Sequence, residues 1–363
     1  MPSLESLRTL SGKGQHDAPA DAAARTRDND DLAIELARHL RPPHRNRPRG
    51  PVIPEDGMNA IFIDCNNQLA PVFERVHRVD DPPIAVNGAA FSSDELPRLL
   101  AGYEICLDDH SYMPTEFMAQ CRGLKHIVFL GTGASSYMDV AALKGMGIDV
   151  HTIKGYGDTA VAEHTLALIC AACRDLVHMD RAVRSGVWEP REGVELKGKT
   201  LGLIGVGGIG SEVARIAHGM GMRVLAWNRT ARDQSHATLV DLETLLAESD
   251  MVSLHLALTE DTRGFLGRDQ ISRMKPGVIL VNTARGALVD ESALIAALRS
   301  GHIRHAGLDV FHAEPLKPDH PLAQLDNVTL TSHAAFRTLE ASMTLMRRAI
   351  DIVRRIQGLS VAA

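Results

Sequence analysis

The sequence contains no apolar run near the ~20 residues that a membrane-spanning helix requires. Its longest, Leu166 to Cys173, stops far short, and the N-terminus lacks the charged-then-apolar layout of a secretory signal. Cysteine is scarce: five in 363 residues, odd in number and spread out, which excludes a disulfide framework and points to a reducing compartment, the cytoplasm. Cys170 and Cys173 have C-x-x-C spacing but fall inside an apolar helix-like run, so they read as small buried hydrophobes. No excess of positive charge is present. Lys and Arg number 39 against 45 Asp and Glu, a net charge of −6, which offers no general attraction to nucleic acid or anionic membranes. Metal ligands in a recognisable set are also missing: His302 and His305 are close together, but without an acidic or thiol partner they read as a surface turn.

Aromatic residues make up 4% of the chain, and the first 57 residues have none, while holding seven of the 17 prolines. Such a segment cannot offset its ordering entropy and is expected to be a disordered extension, with one short helix at Asp31 to Leu40. Its basic cluster, Arg41, Arg45, Arg47 and Arg49, reads as solvated linker rather than a nucleic-acid contact, and Met58 is an alternative start.

From Met58 onward, short apolar runs alternate with helical stretches, the rhythm of parallel β-α-β units. Strands are expected at 60–64, 104–107, 126–130 and 149–152, with helices at Ser93 to Ala101 and Met138 to Gly145. One long helix, Val161 to Arg184, breaks the rhythm. It is apolar around much of its circumference and needs covering by another domain or a partner subunit. A second series follows, with strands at 200–205, 222–227, 251–255, 277–283, 306–310 and 327–332. Helices are expected at Gly208–Gly219, Leu242–Glu248, Glu291–Arg299 and Thr338–Ile356. The fold class is therefore α/β, with two Rossmann-like parallel-sheet domains and a cleft between them.

The sharpest motif is Gly205-Val-Gly207-Gly208-Ile209-Gly210, which follows an apolar strand and opens an amphipathic helix carrying Ile209, Val213, Ile216 and Met220 on one side. In that context G-x-G-x-x-G is a dinucleotide fingerprint: Gly205 permits the turn, Gly207 lets backbone approach a pyrophosphate, and Gly210 lets helix and strand pack closely. The helix N-terminus supplies free N–H groups for the phosphates. At the end of the next strand, where NAD sites usually place a carboxylate for the ribose 2′-hydroxyl, the chain has Asn228-Arg229-Thr230. No acid stands there to repel a 2′-phosphate, and Arg229 can pair with one, so NADP(H) is slightly favoured over NAD(H).

Three ionisable groups stand at the ends of successive expected strands: Arg285, Glu314 and His333. Ligands sit at the carboxyl ends of parallel strands, so these side chains can converge. Reduction of a ketone leaves an alkoxide to be protonated, and histidine is the acid suited to neutral pH. A carboxylate beside it stabilises the imidazolium, and a guanidinium can hold a substrate carboxylate and polarise the carbonyl.

With these blocks in hand the chain, over roughly Met58 to Ile356, resembles the D-isomer-specific 2-hydroxyacid dehydrogenases. The resemblance rests on Gly155-Tyr-Gly-Asp-Thr-Ala-Val-Ala-Glu-His-Thr165, on Gly205 to Gly210, on Met274 to Asp290, and on Asp309-Val-Phe-x-x-Glu-Pro315. It implies catalytic Arg285, Glu314 and His333, Asp309 near the nicotinamide, Thr283 and Ala284 on the cofactor, and backbone N–H groups near Thr132 and Gly133 on the substrate carboxylate. It also implies a flavodoxin-like substrate domain from 58–153 plus 336–363, a dinucleotide domain from 154–335, and a homodimer joined through the latter. A small 2-keto or 2-hydroxy acid of the glyoxylate or hydroxypyruvate kind is the expected substrate, and D stereochemistry comes from the resemblance alone. Three departures stand out: Ala257 and Ser332 where proline is usual, and Ala134-Ser-Ser in the loop after Gly133. Alternatives are a phosphite dehydrogenase-like enzyme on the same scaffold, and a dinucleotide-sensing protein resembling the C-terminal-binding-protein corepressors, with the N-terminal segment as a docking arm.

Overall fold

The computed structural model describes residues 59–230 and 235–360. The expected N-terminal extension, its short helix and its arginine cluster lie outside the described residues.

Two parallel sheets carry the α/β fold. The first is built from β1 (Ala60–Phe62), β2 (Ile84–Val86), β3 (Ile105–Asp108), β4 (His126–Phe129) and β5 (Asp149–Thr152), in the order β2-β1-β3-β4-β5. The second comprises β6 (Thr200–Ile204), β7 (Arg223–Trp227), β8 (Thr238–Leu239), β9 (Met251–Leu254), β10 (Val278–Asn282), β11 (Ile303–Leu308) and β12 (Val328–Leu330). Their order, β12-β11-β10-β9-β6-β7-β8, reverses direction at the β6–β9 pair, which is the switch point where doubly wound sheets bind ligands. Strands β6, β9 and β10 are buried along their whole length, as both faces of a parallel sheet must be.

The longer helices are α1 (Ala70–Val76), α2 (Asp158–Arg174), α3 (Leu176–Arg184), α4 (Gly208–Gly219), α5 (Leu242–Glu248), α6 (Glu291–Ser300) and α7 (Leu339–Ile356). Their ends carry recognisable caps. Asp241 and Asp290 accept backbone N–H groups at the starts of α5 and α6, and Gly301 at φ +75° closes α6. No described helix is long and apolar enough to cross a membrane.

The last helix returns to the first sheet. Leu345, Met346, Ala349, Ile350 and Val353 of α7 share a core with Phe62, Leu107 and Val128. Its polar side grips the loop before β2: Arg347 makes a bidentate pair with Asp81 at 2.7 and 2.8 Å, and Arg354 Nη1 adds a third contact at 3.1 Å. Burial alone would raise the Asp81 carboxyl, but hydrogen bonds from Arg347, the Arg78 N–H and Arg354 hold it well below the ordinary carboxylate range.

Three expectations need correction. The long helix of 161–184 is two helices, parted at Asp175, whose left-handed backbone (φ 51°) turns the chain without a glycine or proline to announce it. The apolar face of α2 needs no partner subunit: Leu166, Leu168, Ile169, Ala172 and Cys173 pack with Leu201, Leu203, Val213 and Val281 of the same chain. Within this segment the exposed large apolar side chains fall instead in α3 and just beyond it, at Leu176, Val183, Val187 and Trp188. Finally, His305 is no surface residue. Strand β11 starts three residues earlier than expected and buries it against the Thr329 hydroxyl at 3.0 Å, and burial lowers its pKa.

Candidate active site

The glycine loop joins β6 to α4. Gly205 adopts φ +99°, and a Cβ there would lie 2.7 Å from the His255 carbonyl oxygen, so only glycine fits. A Cβ on Gly210 would collide with the Gly205 carbonyl, which is the close helix-to-strand approach the motif requires. Gly207 differs: a Cβ would meet nothing within 4 Å, leaving an open approach to the backbone at the head of α4, which begins at Gly208 with Ile209 next. This cradle fits a dinucleotide pyrophosphate. The Asp158 carboxyl, not singled out from the sequence, lies against Gly208, where a side chain would displace it. Burial raises its pKa, Arg348 lowers it, and Glu212 raises it.

At the end of β7, Asn228 ties the turn together. Its Oδ1 accepts the Val206 N–H at 3.4 Å, and its Nδ2 donates to the Thr230 carbonyl at 2.6 Å. Arg229 is 80% exposed, and its guanidinium stands 3.9 Å from the equally exposed Asp261.

Three strand ends supply the acid–base groups. After β10, buried Asn282 shapes the chain: Nδ2 donates to the Arg285 carbonyl at 2.8 Å, and Oδ1 accepts the Ala284 N–H at 3.0 Å. The Thr283 hydroxyl meets that of Thr165 on α2 at 2.9 Å. Arg285 then reaches towards the first sheet. A Cβ placed on Gly133 would lie 3.5 Å from Arg285 Cζ and still nearer Nη2, so the guanidinium rests on the loop that contains Thr132 and Gly133. After β11, Asp309 is fully buried, and Glu314 follows five residues on. After β12 comes His333, whose Nδ1 lies 2.7 Å from Glu314 Oε2. Since ionised Glu314 only accepts, Nδ1 carries the proton towards it, and Nε2 is the nitrogen left for a substrate. Burial would raise the Glu314 pKa, but the His333 hydrogen bond, the Phe311 N–H and the charges on His333 and Arg285 outweigh it and lower the value.

The structure therefore brings Arg285 to the 131–133 loop and His333 to Glu314. The two groups share neighbours: the charges of Arg285 and Glu314 both act on the Tyr137 phenol. Residues that the sequence did not mark also stand here. His110 lies 5.1 Å from the Tyr137 ring and 6.3 Å from that of Phe336, with its Nδ1 on Asp109 at 2.9 Å. Tyr156 lies 6.1 Å from Phe336, and burial pushes its phenol up to about 12, so it is neutral at physiological pH. Only the quoted block at 155–165 carried a signal for any of them. Asp309 was expected beside the nicotinamide; its two oxygens face the 331–335 turn, accepting from Thr331, Ala334 and Ala335.

A doubly wound sheet with a glycine cradle at its switch point, and an imidazole–carboxylate pair following two further strands of the same sheet, fits an oxidoreductase that uses a nicotinamide dinucleotide. Comparison with known proteins narrows this. The family described as "D-isomer specific 2-hydroxyacid dehydrogenase, NAD binding domain" matches residues 166–335. Glyoxylate reductase of Aeropyrum pernix is 42% identical over 257 residues, 67% of this chain and 76% of that one. D-3-phosphoglycerate dehydrogenase of Archaeoglobus fulgidus is 40% identical over 278 residues, 74% of this chain but 53% of the longer relative. Among solved structures, the acyclic imino acid reductase Bsp5, in complex with NADPH and D-Arg, superposes with a TM-score of 0.75 at 31% identity, covering 84% of this chain and 99% of that one. The chain belongs to the D-isomer specific 2-hydroxyacid dehydrogenases. It is an NAD(P)-dependent oxidoreductase acting on 2-hydroxy acids.

Proposed function

We propose that the chain reduces a short 2-keto acid of the glyoxylate or hydroxypyruvate kind to the D-2-hydroxy acid, with His333 as the proton donor. The bound dinucleotide supplies the hydride that reaches C2. Backbone N–H groups at Thr132 and Gly133, with the Arg285 guanidinium, hold the substrate carboxylate and polarise the 2-oxo group. His333 Nε2 gives a proton to the oxygen as it becomes an alkoxide, and Glu314 orients the ring and stabilises its charged form. In this reading 58–153 plus 336–363 form the substrate domain and 154–335 the dinucleotide domain. Gly205 to Gly210, Thr283 and Ala284 contact the dinucleotide, with Asp309 beside its nicotinamide end. NADP(H) is preferred through Arg229, with Asn228 and Thr230 beside it; the NADPH held by the imino acid reductase supports that choice. A second copy of the chain covers the exposed Leu176, Val183, Val187 and Trp188 in a homodimer.

The observation that carries this reading is the 2.7 Å contact of His333 with Glu314, on the same strand-end edge as an arginine that touches the facing sheet's glycine loop. A panel of 2-keto acids with NADH and NADPH tests it. His333→Ala should retain dinucleotide binding and lose turnover; an active variant, or a preference for NADH, would overturn the corresponding part.

A further inference from the structure

We infer that Thr331 and His164 are positioning residues for His333, acting through Asp309. This rests on the reading of His333 as the proton donor.

The turn that bears His333 hangs on a single carboxylate. Asp309 Oδ1 accepts the Ala334 N–H at 2.9 Å and Oδ2 the Ala335 N–H at 3.0 Å, while the Asp309 carbonyl accepts the His333 N–H at 2.8 Å. His333 itself sits at φ 51°, a left-handed conformation that side-chain-bearing residues adopt only when the surroundings impose it. Asp309 therefore fixes the direction in which the imidazole leaves the backbone.

Asp309 is completely buried, and no lysine or arginine pairs with it among the described residues. Its neutralising partners are hydrogen bonds. Thr331 Oγ1 donates to Oδ1 at 2.6 Å, and His164 Nε2 stands 3.0 Å from that same hydroxyl oxygen and 3.6 Å from Oδ1. A threonine has one hydroxyl proton, and here it goes to the carboxylate, so His164 must carry its proton on Nε2 and donate. The chain of donation runs from His164 through Thr331 to Asp309, and ends on the turn that holds His333.

His164 and Thr165 are neighbours on α2. Thr165 meets Thr283, two residues before Arg285, while His164 reaches Thr331, two residues before His333. One turn of one helix thus fastens the strand ends that carry both reacting groups. Loss of the Thr331 hydroxyl would leave a buried carboxylate short of a donor, and the turn would relax around it.

The test is steady-state reduction of a 2-keto acid by Thr331→Val, Thr331→Ser, His164→Leu and His164→Gln, with His333→Ala alongside. Dinucleotide Kd is measured by fluorescence titration and folding by thermal melts. Misplacing a catalytic group by ~1 Å costs on the order of 100-fold. Thr331→Val should therefore lose about 10- to 100-fold in kcat, with KM and dinucleotide Kd within about twofold. Thr331→Ser should recover most of the loss. His164→Leu should lose less than Thr331→Val, and His164→Gln, whose amide N–H falls near the position of Nε2, should recover it. Wild-type kcat in both Thr331→Val and His164→Leu would overturn the proposal, as would losses confined to KM or melting temperature, or a serine variant as impaired as the valine. Should Thr331→Val not fold, the serine and the two His164 variants decide. A fully active His333→Ala would remove the underlying reading as well; an inactive one with normal positioning variants would sink the positioning alone.

Discussion

Gly133→Ala adds one methyl group to the loop that follows β4 and tests whether Arg285 works across the gap to it. The glycine sits at φ −100° and ψ 34°, a conformation alanine accepts, so the backbone carries no new strain. The added carbon would lie 3.5 Å from Arg285 Cζ and 3.8 Å from Nε, and far inside contact distance of Nη2. The guanidinium is the free end of a flexible side chain, so it yields rather than the fold, by about 1 Å, a displacement worth on the order of 100-fold in a positioned group. That is about 2.7 kcal/mol of transition-state stabilisation. Expected results are a kcat/KM for the keto acid lower by about 100-fold, a melting temperature within about 2 °C of wild type, and unchanged dinucleotide binding. Arg285→Ala supplies the control. If the methyl acts by displacing the guanidinium, it should add almost nothing in the Arg285→Ala background, because the two changes remove one interaction. Wild-type activity in Gly133→Ala, or losses that multiply in the double variant, would refute the argument.

Other residues lend themselves to the same treatment. Gly207→Ala meets no atom within 4 Å and keeps an extended backbone, so the melting temperature of the free protein should hold while dinucleotide affinity, measured by calorimetry, falls by about tenfold or more (about 1.4 kcal/mol). Arg229→Ala should raise the KM for NADPH by about tenfold while leaving NADH nearly unchanged; the loss of about 1.5 kcal/mol sits at the low end for a charged hydrogen bond because the side chain is 80% exposed. Asp81→Asn strips the carboxylate from Arg347 and Arg354 and should cost about 3 kcal/mol in urea unfolding at neutral pH. The folded Asp81 carboxyl lies below its unfolded value, so this contribution is full above the unfolded pKa and drains away as pH falls towards the folded one. The gap between wild type and variant should stay constant from about pH 5 to 8 and narrow below about pH 4; an unchanging gap down to pH 3 would contradict the ion-pair account.

Local pattern made much of this architecture legible. The helices at Gly208–Gly219 and Leu242–Glu248 run where glycine, cap and apolar spacing place them, and the buried strands of the second sheet fall within a few residues of their apolar runs. Strand β2 escaped notice because three residues between Pro82 and Asn87 read as a breaker segment, and β8 because two exposed residues at a sheet edge carry no periodicity. The division of α2 from α3 turns on the dihedral of Asp175, a residue type that helices also tolerate.

Residue chemistry and spacing along the chain were enough to nominate the glycine turn after β6 as a nucleotide cradle and Arg285, Glu314 and His333 as reacting groups, since each requirement there is local: a turn, a strand end, a side chain of the right acidity. Which atoms meet was decided only by folding. The arginine's rest against Gly133, 152 positions away in number, depends on how two sheets face one another. The turning of Asp309 towards the 331–335 backbone, with α2 behind it, depends on a loop conformation that includes a left-handed histidine. Hydrogen bonds of that kind join groups whose separation along the chain bears no relation to their distance in space, so no reading of neighbours or periods could have supplied them.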